Sequence, residues 1–330
     1  MKAAIARVHR LGHLALVALL TTTAGPVIGA PVAERGATKS VLITLGTMGG
    51  PIADPVRSQP ANLLIDGDLT VLVDAGDGVA EQLAKAGIPI ARVRTVFLTH
   101  LHYDHTGGLF ALLGMRQQLA LPQATVYGPP GTLRLVAGLI QAMQPAADIG
   151  AGLAGRPRRD PAQTIRTVEI SGGETVQLGS VKVTAAMNSH YSFPAGSPEA
   201  QGSQSLSFRF ELSDRSIAFT GDTGPSANVE VLAQGADVLV SEVIDPVAAM
   251  AALRGANPEL PAAALANIAS HFTEQHLSAA EVGKLAARAG VKRVILTHNP
   301  MSAADSVCAS KTIRSLFAGD VDIARDLARY

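Results

Sequence analysis

Apolar and polar positions change register along the chain in a way that predicts short strands feeding longer helical runs. The run 41–46, VLITLG, predicts a strand, and 62–65 with 70–73 predict a hairpin turning at Asp66-Gly67-Asp68. A helical stretch over 79–86 stops at Gly87, and a strand over 94–98 ends where a group of histidines begins. The alternation continues with a strand at 124–127, a helix at 132–143, and two strands within 165–169 and 181–186 that pair with each other. The stretch 144–166, rich in Gly, Pro, Ala and Arg, reads as a long lid or binding loop. Strands at 206–212 and 216–220 flank the turn Ser213-Asp214-Arg215, a strand follows at 237–243, and an Ala-rich helical insertion runs through Ser270. The last unit carries the clearest punctuation. Ser278 and Glu281 form a capping box, Val282, Leu285 and Ala286 supply an apolar face, Gly290 closes the helix, and a strand over 291–297 delivers His298. Hairpin strands running twice into helix–strand units, with no short repeat, predict an α/β fold of four layers, an αββα sandwich.

The start of the chain changes the domain picture. A basic opening, MKAAIARVHR, precedes an apolar stretch that fades into small residues, the layout of a secretory signal peptide. Its apolar core, Leu11 to Leu20, is short for a bilayer span of roughly 20 residues. The expectation is a leader over 1–30, cut between residues 24 and 33, with Pro31 disfavouring cleavage after Ala30, and a single catalytic domain over 31–330. Export places the mature protein in the periplasm or outside the cell, without stable membrane insertion. Composition adds 47% apolar and 16% charged residues, enough for a full-sized core. Lysine plus arginine and aspartate plus glutamate both number 27, so the net charge is zero and the electrostatic footprint of a nucleic-acid binder is missing. Cys308 is the single cysteine, expected as a small buried apolar side chain, so any metal must be held by nitrogen and oxygen.

Within His100-Leu101-His102-Tyr103-Asp104-His105, three imidazoles and a carboxylate occupy six positions directly after a predicted strand. A loop folded there can present alternating ligands to metal, whereas a structural turn has no need of them. This run resembles the HxHxDH hallmark of the metallo-β-lactamase superfamily, and the resemblance extends through Asn188-Ser189-His190, Gly221-Asp222-Thr223 and Leu296-Thr297-His298. It implies a metallo-β-lactamase-like sandwich in which His100, His102 and His190 hold one divalent metal and Asp104, His105 and His298 a second, with Asp222 bridging. Of nine histidines, His9 and His13 lie in the leader, five occupy these ligand positions, and only His271 and His276 remain. Two cations about 3.5 to 4 Å apart lower the pKa of a bridging water and stabilise a developing oxyanion, which implies hydrolysis. Asp104 is a candidate to orient or deprotonate that nucleophile. Zinc leads because of the histidines, and a bridging carboxylate without thiolate also suits iron or manganese. Asp74, in Val73-Asp74-Ala75-Gly76, resembles the family's early aspartate and is expected to fix an imidazole tautomer.

Leu45-Gly46-Thr47, the run from Tyr127 to Thr132, and the block 276–298 resemble the ribonuclease Z branch. That resemblance implies a general-acid role for His276, placed before a helix that leads into the strand of the last ligand. His271 reads as structural, and Glu242 as an ordinary strand-end carboxylate that could support His276. Arg156, Arg158 and Arg159 read as a solvated loop. The leader, the neutral charge and the short 144–166 loop argue against tRNA maturation. The expectation is therefore an exported two-metal hydrolase of a small anionic ester, amide or phosphodiester, with no nucleic-acid partner and compatible with a homo-oligomer. A β-lactamase is the enzymatic alternative, and a metal-dependent binding or sensor protein the nonenzymatic one.

Overall fold

Strands here are apolar on both faces because each sheet is covered twice. The computed structural model describes residues 39–153, 155, 159–194 and 196–330; the expected leader, with His9 and His13, and Arg156 and Arg158 lie outside them. β1 (Val41–Gly46), β2 (Ala61–Asp66) and β3 (Leu69–Val73) form an antiparallel meander, with Gly67 at φ 58° in the second turn. α1 (Val79–Lys85) crosses to β4 (Thr95–Phe97), and the chain then coils into α2 (Tyr103–Thr106) and α3 (Leu109–Gln118) before β5 (Ala124–Gly128). α4 (Thr132–Ile149) leads to β6 (Ile165–Glu169). The second half runs through β7 (Thr175–Leu178), β8 (Val181–Met187), α5 (Pro198–Gly202), β9 (Leu206–Glu211), β10 (Ser216–Phe219) and α6 (Ala227–Ala233). It continues with β11 (Val238–Ser241), α7 (Pro246–Ala256), α8 (Ala262–Glu274), α9 (Ala279–Ala289), β12 (Arg293–Leu296), α10 (Ala303–Leu316), β13 (Asp320–Ile323) and β14 (Ala328–Arg329).

The strands form two seven-stranded mixed sheets, ordered β14-β1-β2-β3-β4-β5-β6 and β13-β12-β11-β10-β9-β8-β7. Side chains alternate across each strand, so one set faces helices and the other faces the opposite sheet. Leu63, Leu72, Val96 and Leu98 pack under α1, α3 and α4, while their neighbours Leu64, Val71, Val73 and Phe97 meet Phe208, Phe210 and Val240 of the second sheet. Phe97 centres that interface, edge-on to Phe208 and Phe210 with centroids 5.3 and 5.4 Å away. Leu239, Val294 and Leu296 pack outward against α6, α9 and α10. The four-layer αββα sandwich is therefore the observed fold.

Four local expectations change. Strands β6 and β8 do not pair: β6 lies parallel to β5 in the first sheet, and β8 takes β9 and an unforeseen strand, β7, as neighbours in the second. Helix α4 continues through Pro145 to Ile149, shortening the expected 144–166 loop. In the expected capping box, Ser278 Oγ accepts from Glu281 N at 3.3 Å, but the Glu281 carboxylate accepts from Lys284 instead. Cys308 is exposed on α10, since that helix turns Ser306, Ala309, Ser310 and Ile313 inward. Among the described residues no helix is long and apolar enough to cross a membrane.

Candidate metal centre

The site forms where one set of strand ends converges. β3 and β4 are parallel, as are β10, β11 and β12, while β8 returns to the same direction through antiparallel β9. The residues leaving their carboxyl ends are therefore delivered to one edge of the sandwich: Asp74, the run 99–105, His190, Asp222, Glu242 and His298. Two of them, Asp74 at φ 62° and His298 at φ 42°, hold the left-handed backbone that β-carbon-bearing residues avoid. Strain of roughly 1–3 kcal/mol at such positions persists only where the surroundings dictate it, and it clusters at functional sites.

The ligand atoms of His100, His102 and His190 lie within 4.8 Å of one another, and so do those of Asp104, His105 and His298. Asp222 faces both groups: its Oδ2 is 3.9 Å from His100 Nε2 and 3.2 Å from His298 Nε2, and its Oδ1 is 3.3 Å from His105 Nε2. All seven residues expected as ligands are thus brought together. His102 caps α2, whose single turn places Asp104 and His105 beside it. Gly50 N donates to Asp104 Oδ2 at 3.0 Å, an approach that a β-carbon at residue 50 would block by colliding with Asp104 itself.

Outer hydrogen bonds aim the imidazoles. His105 Nδ1 donates to Asp74 Oδ2 at 2.9 Å, and Thr99 N donates to the other oxygen of Asp74 at 2.8 Å. His190 Nδ1 donates to the Gln275 carbonyl at 3.1 Å. A carbonyl or carboxylate can only accept, so both rings carry a proton on Nδ1 and turn Nε2 inward as the nitrogen available to a metal. Thr99 Oγ1 meets His100 Nδ1 at 3.1 Å in the same manner. His102 and His298 are the exceptions: His102 Nδ1 meets His190 Nε2 at 3.1 Å, inside the site, and His298 Nδ1 is buried without a partner, so that its direction comes from the backbone.

The donor set fits a divalent cation. His100 Nε2, His105 Nε2 and Asp222 Oδ1 are buried with no hydrogen-bond partner, a condition that costs about 1–3 kcal/mol per group unless something else satisfies them. Burial holds His100 and His190 well below the ordinary imidazole range, and His102 below it, which favours the neutral form that ligation requires. Burial works against charge at Asp222 and Asp104 too, but the neighbouring imidazoles of His298 and His105 hold both carboxyls far below the usual range. At His105 burial is outweighed by Asp222, Asp104 and Asp74, which raise its pKa.

Beside these ligands opens a cleft of about 400 Å³ that His276 lines. His276 Nδ1 donates to Glu242 Oε2 at 2.6 Å, leaving Nε2 as its free ring nitrogen. Burial opposes its protonation, yet Glu242 pushes its pKa up to about 9. Glu242 Oε1 accepts from Thr223 N, next to Asp222, so the carboxylate ties His276 to the metal ligands. Glu242 thus holds the His276 ring rather than ending its strand unpaired; a carboxylate closing the buried run 238–241 is the signal in the sequence. His271, expected as structural, also lines the cleft, with its ring centroid 5.1 Å from His190 and 5.0 Å from His276. Arg159 instead staples its own loop, donating to the Leu121 carbonyl at 2.6 Å.

A family model described as the Beta-lactamase superfamily domain matches residues 70–299. Ribonuclease Z of Mycolicibacterium paratuberculosis (strain ATCC BAA-968 / K-10) is 32% identical over 298 residues, covering 87% of this chain and 96% of that protein. Among solved structures, the metallo-beta-lactamase fold protein YhfI from Bacillus subtilis superposes with a TM-score of 0.64 at 18% identity, covering 88% of this chain and 98% of the other. The short form of human tRNase Z superposes at 0.59 and 22%, with the same two coverages. These relatives overturn the expectation of a small-molecule substrate and no nucleic acid. That expectation rests on the leader, the short 144–166 loop and the neutral total charge, and total charge describes the whole surface rather than any one site.

Proposed function

Because the chain belongs to the metallo-β-lactamase superfamily as a ribonuclease Z-like, metal-dependent hydrolase, we propose that it is a nuclease hydrolysing a phosphodiester bond of RNA. The observation that carries this is the convergence of His100, His102, Asp104, His105, His190, Asp222 and His298 beside a histidine already paired with a buried carboxylate. In this reading His100, His102 and His190 would hold one cation and Asp104, His105 and His298 another, with Asp222 facing both groups. Two bound divalent cations, zinc by preference with iron or manganese as alternatives, supply Lewis acidity for water activation and for the charge that develops on phosphate. Asp104 orients the attacking water and accepts the proton that the water loses. As the water oxygen bonds to phosphorus and the bond to the leaving oxygen breaks, His276 gives its Nε2 proton to that oxygen, and Glu242 steadies the imidazolium before the transfer. The basic and apolar opening of the chain supports export of this nuclease, and N-terminal sequencing of protein from fractionated cells tests it.

The test of activity incubates the metal-loaded enzyme with a labelled RNA oligonucleotide, alongside a β-lactam and an aryl ester. RNA cleavage that a chelator abolishes and Asp222→Ala lacks is the expected result. Hydrolysis of the β-lactam or ester with intact RNA would overturn the proposal.

A further inference from the structure

Between Glu242 and His276 the chain inserts α7 and α8, and neither helix has a fully buried side chain. Their inward faces are nonetheless apolar, and they form one wall of the cleft whose floor holds Asp222, His276 and His298. Leu253 on α7 and Ile268 and Phe272 on α8 line that wall, and Ala249 and Ala252, one helical step apart, leave it shallow. The Phe272 ring centroid lies 6.1 Å from that of His276. A group joined to the scissile phosphate through the leaving oxygen therefore reaches the wall within one nucleotide. Among the described residues no lysine or arginine lines the cleft. Proteins that track RNA by its backbone do so with cationic side chains, whereas proteins that hold unpaired RNA stack its bases on aromatic and apolar surfaces. A volume of about 400 Å³ is that of a site for a small ligand rather than for a helical stem.

We propose that the α7–α8 wall is a nucleobase subsite, which takes one unpaired base next to the scissile phosphodiester and stacks it on Phe272. The inference rests on the nuclease reading and adds a requirement: the nucleotide at the cut must be single-stranded, and its base, rather than flanking phosphates, supplies the affinity. Phe272 and its neighbours are specificity-determining residues that touch substrate and take no part in proton transfer.

The experiment uses the metal-loaded enzyme and two single-stranded oligoribonucleotides, one intact and one with an abasic ribonucleotide at the cut. Removing the base lowers kcat/KM of the wild type about 10-fold, the range of one base–aromatic stack. Phe272→Ala lowers kcat/KM on the intact RNA by a similar factor and no longer distinguishes the two substrates, while Phe272→Tyr retains the preference. Equal kcat/KM for intact and abasic RNA in the wild type would overturn the subsite and leave the nuclease reading standing. Failure of the wild type to cut either RNA overturns the nuclease reading instead. A binding arm by calorimetry then decides the subsite: adenosine 5′-monophosphate binding about 10-fold tighter than ribose 5-phosphate, with the difference lost in Phe272→Ala, supports it. Equal binding of the two, or tighter binding of an alkyl phosphate, overturns it.

Discussion

The two sides of the cleft are built on opposite principles. The floor is made of residues leaving strand ends, almost every one of them buried, with most imidazoles held from behind by a carboxylate, a hydroxyl or a carbonyl. The wall is a helical pair that buries no side chain completely and meets the floor where His271 and Phe272 lie beside His190 and His276. A rigid sheet edge can hold donors to the tolerance that metal chemistry demands, while a loosely seated insertion can vary without disturbing it. Chemistry and selectivity are thereby assigned to different parts of the chain.

Substitutions on the floor break that comparison most severely. Asp222→Ala removes the carboxylate facing both ligand groups and lowers kcat by about 10³-fold or more, with the fold retained by circular dichroism. A mild effect would mean that Asp222 is not shared. His276→Ala sharpens the boundary between floor and wall: it slows phosphodiesters of poor leaving groups by about 10²- to 10⁴-fold and activated aryl phosphodiesters far less. Equal losses for both would remove His276 from proton transfer. Asp74→Asn should weaken metal retention by about 10- to 100-fold in chelator competition, because one acceptor oxygen is then left for the two donors, His105 Nδ1 and Thr99 N, and the other position presents an N–H to one of them. Unchanged retention would make Asp74 a turn residue only. Smallest is the wall: Leu253→Ser shifts stability by only about 0.5 to 1 kcal/mol in denaturant unfolding while raising KM for RNA. A large loss of stability would show that α7 belongs to the core.

The same division explains which features are legible in the amino-acid sequence. His100, His102, Asp104 and His105 stand in one short run, and His190, Asp222 and His298 each follow an apolar strand, so residue type and strand period together locate them. The αββα layers follow from strands apolar on both faces. The pairing of β6 with β8 is a false expectation because proximity in sequence stands in for pairing only when no sheet boundary intervenes. Tertiary register alone decides that Glu242 meets His276 and that His190 rests on the Gln275 carbonyl, since each partnership spans a crossover. The wall is hidden for a further reason: α7 and α8 show apolar periodicity without a conventional core to bury it in, and an Ala-rich insertion reads as filler. Total charge misleads because it averages over the whole surface and says nothing of what a single cleft holds.

The most direct test of the account is metal content measured together with RNA cleavage on the same preparation. Two divalent cations per chain are predicted, with cleavage lost as a chelator removes them and regained as they are restored. Full cleavage with fewer than two cations, or a fully loaded enzyme that leaves RNA intact, would contradict it.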